Sequence, residues 1–127
     1  MQLHHERAEG FLFFRRCAET EVTIVDRVLT RSFLLAPDRL VEDWPVVDND
    51  GLDDATIAAI LALEPEVVLL GTGVRQIFPS HATRAALLRR GIGIEVMDNA
   101  AACRTYNLLA DEGRRVVAAI MLPAATV

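Results

Sequence analysis

The stretch "DDATIAAILALEPEVVLLGTG", residues 53–73, indicates the fold most directly, because a helix pattern passes into a strand pattern within it. Asp53 or Asp54 stands where a helix N-cap is expected. Three apolar residues then recur on one helical stripe: Ile57, Ile60 and Leu61. Residues 66–70 form a short continuous apolar run, which is typical of a strand covered on both faces. The stretch therefore predicts a helix that leads into a buried strand.

The same alternation continues towards the end of the chain. Residues 80–91 predict a second helix with Ser80 as its N-cap. A strand is expected over residues 92–97, a third helix over 98–113 and a last strand over 114–122. Helices that alternate with strands in this way favour a parallel sheet joined by right-handed crossovers.

The first half of the chain is rich in β-type residues. Between residues 20 and 35, a strand-like alternation involves four apolar side chains: Val22, Ile24, Val28 and Phe33. The segment "APDR", residues 36–39, predicts the turn of a hairpin, and "DNDG", residues 48–51, predicts a second break.

Together these patterns predict a single domain over residues 1–127. Its parts are a loose N-terminal segment (1–10), a β-rich part (11–50) and an alternating helix/strand part (51–127). The predicted fold class is α/β. We expect a three-layer domain with a central mixed, mostly parallel sheet, helices on that sheet and an N-terminal β-hairpin layer.

Composition narrows the classes of function. Hydrophobic residues make up 52% of the chain and charged residues 24%, which argues against disorder. No apolar run approaches the roughly 20 residues that span a bilayer. The net charge of −5 disfavours nucleic acid as a partner. The two cysteines form no C-x-x-C pair, so we expect no zinc site, no disulfide framework and a reducing cytoplasm as the location.

The turn Gly71-Thr72-Gly73 resembles a phosphate cradle at the end of a strand. A dinucleotide fingerprint requires a third glycine, and Gln76 stands in that position. A P-loop requires a lysine, which this loop lacks. A nucleotide is therefore not expected, and both glycines are explained equally well by a tight turn or by contact with another ligand.

A ligand site is suggested by position, because "DNAAA", residues 98–102, also follows a strand directly. Ligands of open parallel sheets bind beyond the carboxyl ends of the strands, and a helix N-terminus favours a small anion. We therefore expect a cleft between the glycine turn and the helix start, whose candidate ligand-binding residues are Gly71, Thr72, Gly73, Gln76, Asp98, Asn99 and Arg104. Helix capping is the alternative role for the two residues that begin the helix.

No catalytic or metal-binding group emerges from the sequence. Cys103 shares an apolar helical stripe with Tyr106, so a small buried thiol is the favoured interpretation. His4 and His5 are adjacent and lack the i, i+4 spacing that metals favour on a helix. We expect no cofactor and no metal, and the residues alone do not support an enzyme.

The segments "VVLLGTG", "GIGIEVMDNAAACRTYN" and "EGRRVVAAI", in this order, resemble a family of small domains of largely unassigned biochemistry. The family includes a mitochondrial assembly factor for respiratory complex I and an adipogenesis-associated protein. The resemblance covers about residues 20–122 and implies a three-layer α/β fold with a central mixed sheet. It also implies that many relatives carry Thr where this chain has Asn99. Asn107, in the shared "YN" run, is a candidate for fixing a neighbouring loop by hydrogen bonds.

Two functional hypotheses remain. The resemblance implies a non-catalytic interaction protein, similar to the complex I assembly factor, with an unknown protein partner. The alternative is a binder of a small anionic ligand, or an enzyme of unrecognised type, that uses the expected cleft.

Overall fold

The computed structural model describes residues 10–123. The predicted loose segment, including His4 and His5, lies outside the described residues except for Gly10. Between residues 10 and 123 the chain forms eight strands and three helices. The strands are β1 (Phe14–Cys17), β2 (Val22–Ile24), β3 (Arg27–Leu29), β4 (Phe33–Ala36), β5 (Arg39–Val41), β6 (Val67–Gly71), β7 (Gly93–Met97) and β8 (Val116–Ile120). The helices are α1 (Asp54–Leu61), α2 (His81–Leu88) and α3 (Asn99–Asp111), and a 3-10 turn spans Asn49–Gly51.

The central sheet has five strands in the order β5-β4-β8-β6-β7. β6 runs parallel to both of its neighbours, β7 and β8, because α2 and α3 return the chain to the same edge before each new strand. β4 is antiparallel to both β8 and β5. Two of the four pairings are thus parallel, and the predicted mixed sheet is confirmed.

Both faces of the central sheet are covered. On one face, α3 and an antiparallel sheet of β1, β2 and β3 enclose a core that includes Phe33, Leu69 and Tyr106. On the other face, side chains of α1, α2 and the segment after β5 enclose a second core, which includes Trp44, Ile60 and Leu87. All five residues of β8 are buried, since alternate side chains enter the two cores. The three-layer α/β architecture with an N-terminal antiparallel layer is therefore confirmed.

The helix starts follow from local chemistry that the sequence predicts. The side chain of Asp53 accepts a hydrogen bond from the backbone N–H of Thr56, and the hydroxyl oxygen of Thr56 accepts one from the N–H of Asp53, so the two form a capping box. Ser80 caps α2 by accepting from the N–H of Thr83. α2 and α3 end three and two residues before their predicted limits at residues 91 and 113, because the last turn of a helix often frays or tightens.

The β-rich half differs from the prediction in one turn. The segment 20–35 was expected to alternate as strand, but it folds back between β2 and β3, with Val25 at a φ of 55°. Val28 lies after this reversal and is exposed rather than part of the core. The sequence does not reveal this turn because a β-branched residue occupies its left-handed position, where glycine or asparagine is the usual signal. The hairpin predicted at residues 36–39 is present between β4 and β5.

Candidate functional site

The loop between β6 and α2, residues 72–80, is held by its own polar groups. The Thr72 hydroxyl donates a hydrogen bond to the carbonyl of Arg75 at 2.6 Å and accepts one from the N–H of Ile77 at 2.9 Å. The amide of Gln76 donates to the carbonyl of Val96 on the adjacent strand at 2.8 Å. Thr72 and Gln76, both predicted as ligand contacts, therefore form hydrogen bonds that fix the conformation of the loop.

Asn99 joins this loop to the start of α3. Its backbone N–H donates to the carbonyl of Gly73 at 2.8 Å, and its side-chain oxygen accepts from the N–H of Gly73 at 3.0 Å. The side-chain amide donates to the carbonyl of Met121, after β8, at 2.9 Å. The side chain is buried, so one asparagine links the ends of three strands.

Gly71 faces the same side chain from the last position of β6. A Cβ at this position would meet Asn99 Oδ1 and would lie 2.9 Å from Cδ1 of Ile120. Glycine is therefore required here by close approach, and its φ is not in the left-handed region. The positive φ of 96° belongs to Gly73.

The structure brings most of the predicted ligand-binding residues together, and the glycine turn and the helix start are in direct contact through Asn99. β6 and β7 are neighbours with Gly71 paired to Met97, so the glycine turn and the helix start share one edge as expected. The side chain of Asn99 fills the space between these two segments. Asp98 caps α3 by accepting from the N–H of Ala101 at 2.8 Å, which is the alternative role given above. Strand order predicts which segments meet but not how far apart they stand, so ligand binding between these two segments stays a prediction.

Open space lies beside the closed segment. A surface cavity of about 280 Å³ is lined by Gly73, Val74, Asp98, Asn99 and Ala100 from one side and by residues 17–19 from the other. Arg104, exposed on α3, borders a different cavity that also contains Cys103. Anion binding at this edge stays a prediction.

The loop also displays large apolar side chains, which sequence reasoning missed. Three of its residues are exposed by 54–63% and are called here the apolar loop: Val74, Ile77 and Phe78. The side chain of Asn49 donates to the carbonyl of Ile77 at 2.9 Å, and the guanidinium of Arg84 lies 5.4 Å from the ring centre of Phe78. The available signal was the segment "VRQIFPS", residues 74–80, which contains three large apolar residues without a helix or strand pattern.

The three structural candidates on α3 all contact β1 or the segment before it. Tyr106 is fully buried and its hydroxyl donates to the carbonyl of Leu12 at 2.9 Å, while burial raises the pKa of the phenol. The side chain of Asn107 accepts from the N–H of Phe14 and donates to its carbonyl, each at 2.8 Å, so it fixes a strand rather than a loop. Cys103 is buried in the same layer, close to Cys17 at the end of β1.

The described part of the chain, residues 10–123, also bears on metal binding and on membrane spanning. In that part of the chain, no cluster of three or more His, Cys, Asp or Glu residues is arranged to hold a metal ion. None of the helices formed there is both long enough and apolar enough to cross a membrane.

The structure is a small three-layer α/β domain that exposes an ordered apolar loop after strand β6. The chain belongs to the family described as "Protein of unknown function (DUF498/DUF598)", which matches residues 14–121. A solution structure of a Xanthomonas campestris protein is 46% identical, with a TM-score of 0.84 over 100% of this chain and 96% of the other.

Curated relatives carry different names. A human protein named NADH dehydrogenase (ubiquinone) 1 alpha subcomplex assembly factor 3 is 31% identical over 131 residues, which covers 94% of this chain and 70% of the human protein. A Francisella tularensis protein named 13 kDa major membrane protein is 26% identical over 117 residues, covering 91% of this chain and 95% of the relative. The predicted family, including its complex I assembly factor, is thereby confirmed. The predicted link to an adipogenesis-associated protein stays a prediction.

Proposed function

We propose that this chain is a non-catalytic interaction protein that assists the assembly of a multi-subunit complex, with the apolar loop as its contact surface. The observation that carries the proposal is an exposed apolar surface on a loop that is internally hydrogen-bonded. Isolated exposed apolar side chains are normal on protein surfaces, but adjacent ones on an ordered loop indicate contact with another molecule.

The order of the loop favours binding on energetic grounds. Association costs about 0.5–1.5 kcal/mol for each flexible side chain or loop residue that must be immobilised. Here the hydrogen bonds of Thr72, Gln76 and Asn49 already fix the backbone that carries Ile77. A partner that covers the apolar loop would therefore gain apolar burial without ordering the loop first.

The proposed partner is a subunit of an NADH dehydrogenase, as the name of the human relative suggests for that protein. A protein partner suits the loop because its exposed groups are mainly aliphatic and aromatic, and the positive charge of Arg84 lies against Phe78. We place this activity in the cytoplasm, on the cysteine content that favours a reducing compartment.

The test is capture of partners by the tagged full chain at native abundance in its own cells. We expect reproducible recovery of NADH dehydrogenase subunits with the unaltered chain. The Ile77→Ser/Phe78→Ser double variant should reduce that recovery by about tenfold or more, because the few side chains that anchor an interface each contribute about 1–2 kcal/mol or more.

The matched control is Leu108→Ser, which removes a side chain that is 61% exposed on α3 and lies outside the loop. Leu108→Ser should keep full recovery, and both variants should keep the Tm of the unaltered chain. Equal loss in both variants, or capture that never includes an NADH dehydrogenase subunit, would contradict the proposal.

A small anionic ligand is the second candidate, and the cavity of about 280 Å³ beside the start of α3 supports it. The N–H groups of Gly73 and Asn99 bond within the protein, so the ligand would depend on other groups around this cavity. Thermal unfolding with phosphate, sulfate, nucleotides and small carboxylates tests this idea. A ligand at 100 times its Kd should stabilise the fold by about 2.7 kcal/mol, and a panel without any shift would exclude these ligands.

A further inference from the structure

The two cysteines, distant in sequence, are neighbours in the structure. Cys17 ends β1 and is half-buried, and Cys103 lies in the second turn of α3 and is buried. Both line one surface cavity of about 310 Å³, together with Ala100, Arg104 and Asn107. Both are free thiols. Cys17 also packs against the core cluster to which Cys103 belongs.

A β-bulge explains how Cys17 reaches this position. Phe14 pairs with Ile24 and Arg16 pairs with Thr23, so β1 has one extra residue at this point. In a regular strand, side chains alternate, and the residue three positions after Phe14 would face away from α3. The extra residue reverses the alternation, so Cys17 returns to the side that Phe14 occupies.

Asn107 fixes where β1 lies along α3. Its two hydrogen bonds to the backbone of Phe14 set the position of β1 along α3. Cys103 lies one helical turn before Asn107, towards the end of α3 that Cys17 approaches. The two thiols are thus brought together by a defined contact between strand and helix.

The two sulfurs differ in reactivity. Hydrogen bonding with the Cys103 thiol lowers the pKa of Cys17 to about 7, and the charge of Arg104 acts in the same direction against burial and Asp98. The same thiol contact, followed by burial, raises the pKa of Cys103. Cys17, the more exposed of the two, therefore carries the larger thiolate fraction near neutral pH and is the attacking thiol, while Cys103 is its buried, protonated partner.

We propose that Cys17 and Cys103 form a reversible intramolecular disulfide by exchange with a low-molecular-weight disulfide such as oxidised glutathione. The Cys17 thiolate attacks one sulfur of the reagent, its S–S bond breaks, and a thiolate leaves. Cys103 then gives its proton to that leaving thiolate and attacks the Cys17 sulfur, which releases the second thiolate. The protein loses two electrons and the reagent gains them, so excess reduced thiol reverses the reaction.

The disulfide ties the β1–β3 layer covalently to α3. Cys17 begins the segment 17–19, which borders the cavity beside the glycine turn. Oxidation therefore restrains the segment between β1 and β2 without requiring any change in the central sheet.

The test treats the reduced, folded full chain with oxidised glutathione at neutral pH, blocks free thiols with acid-stable alkylation and measures intact mass. We expect loss of two hydrogen atoms, no retained glutathione, and a single cross-linked peptide pair that contains both cysteines. Subsequent reduced glutathione should restore the original mass. Absence of reaction, or a product that retains glutathione, would overturn the proposal.

Variants assign the order of the two steps. Cys17→Ser should lose all modification, because the remaining thiol is buried. Cys103→Ser should accumulate glutathione on Cys17, and Cys103→Ala serves as a second variant if the serine at this buried position prevents folding. Modification of Cys103 in the folded Cys17→Ser variant would contradict the proposed order.

Discussion

Replacing Gly71 by alanine should lower the free energy of unfolding by about 4 kcal/mol, since overpacking costs about 1–3 kcal/mol and lost buried hydrogen bonds cost a similar amount each. The added Cβ would meet Asn99 Oδ1 and would stand 2.9 Å from the side chain of Ile120. Asn99 has no room to yield without breaking its bonds to Gly73 and Met121. Such a loss is a large part of the stability of an ordinary domain.

Urea unfolding of the folded protein measures this effect, and Gly93→Ala is its control. Gly93 lies in β7, next to β6, and a Cβ there would be 3.8 Å from the nearest side-chain atom, which is ordinary contact. That substitution should change the free energy of unfolding by less than about 1 kcal/mol. Similar losses at both glycines would show that Gly71 is not special and would contradict the close approach.

The alternating half of the fold was predictable because its signals are local and redundant. In α1, the capping residue Asp53 and the apolar stripe both predict a helix. The short, continuously apolar run of β6 predicts a buried strand. Agreement between local signals and the global fold is what a minimally frustrated sequence provides. The first half lacks this agreement, since the turn at Val25 carries a residue that ordinarily favours strands.

The candidate site was predictable only in part. The neighbouring parallel strands β6 and β7 do bring the glycine turn and residues 98–99 to one edge. Whether such segments leave a cleft or touch depends on one side chain, and Asn99 makes them touch. The position of Cys17 was also beyond prediction, because a bulge changes which face a residue occupies without a clear signal in composition.

Asn99→Ala should lower the free energy of unfolding by about 3 kcal/mol, because it leaves one buried and one part-buried backbone group without the partners they have in the folded chain. These groups are the N–H of Gly73 and the carbonyl of Met121. The apolar loop should also lose order, since Gly73 directly precedes Val74. We expect faster hydrogen exchange of the Gly73 amide, measured by NMR, alongside reduced stability in urea.

Asn49→Ala is the matched control for this substitution. Its amide donates one hydrogen bond to Ile77, and its side-chain oxygen has no hydrogen-bond partner in the described part of the chain. The cost should be about 1 kcal/mol, typical of a single hydrogen bond. Equal costs at the two asparagines would contradict the special role of Asn99.

The two predictions at this edge are coupled, and their coupling is the sharpest test of the geometry. Once Asn99 is truncated to alanine, the atom that a Cβ on residue 71 would meet first is gone. The double variant Gly71→Ala/Asn99→Ala should therefore lose about 2 kcal/mol less stability than the sum of the single variants, within the range seen for residues in contact. Additive losses would mean that Gly71 and Asn99 act separately. A strong coupling would show that the contact between Gly71 and Asn99 holds this edge of the sheet together and keeps the apolar loop in place.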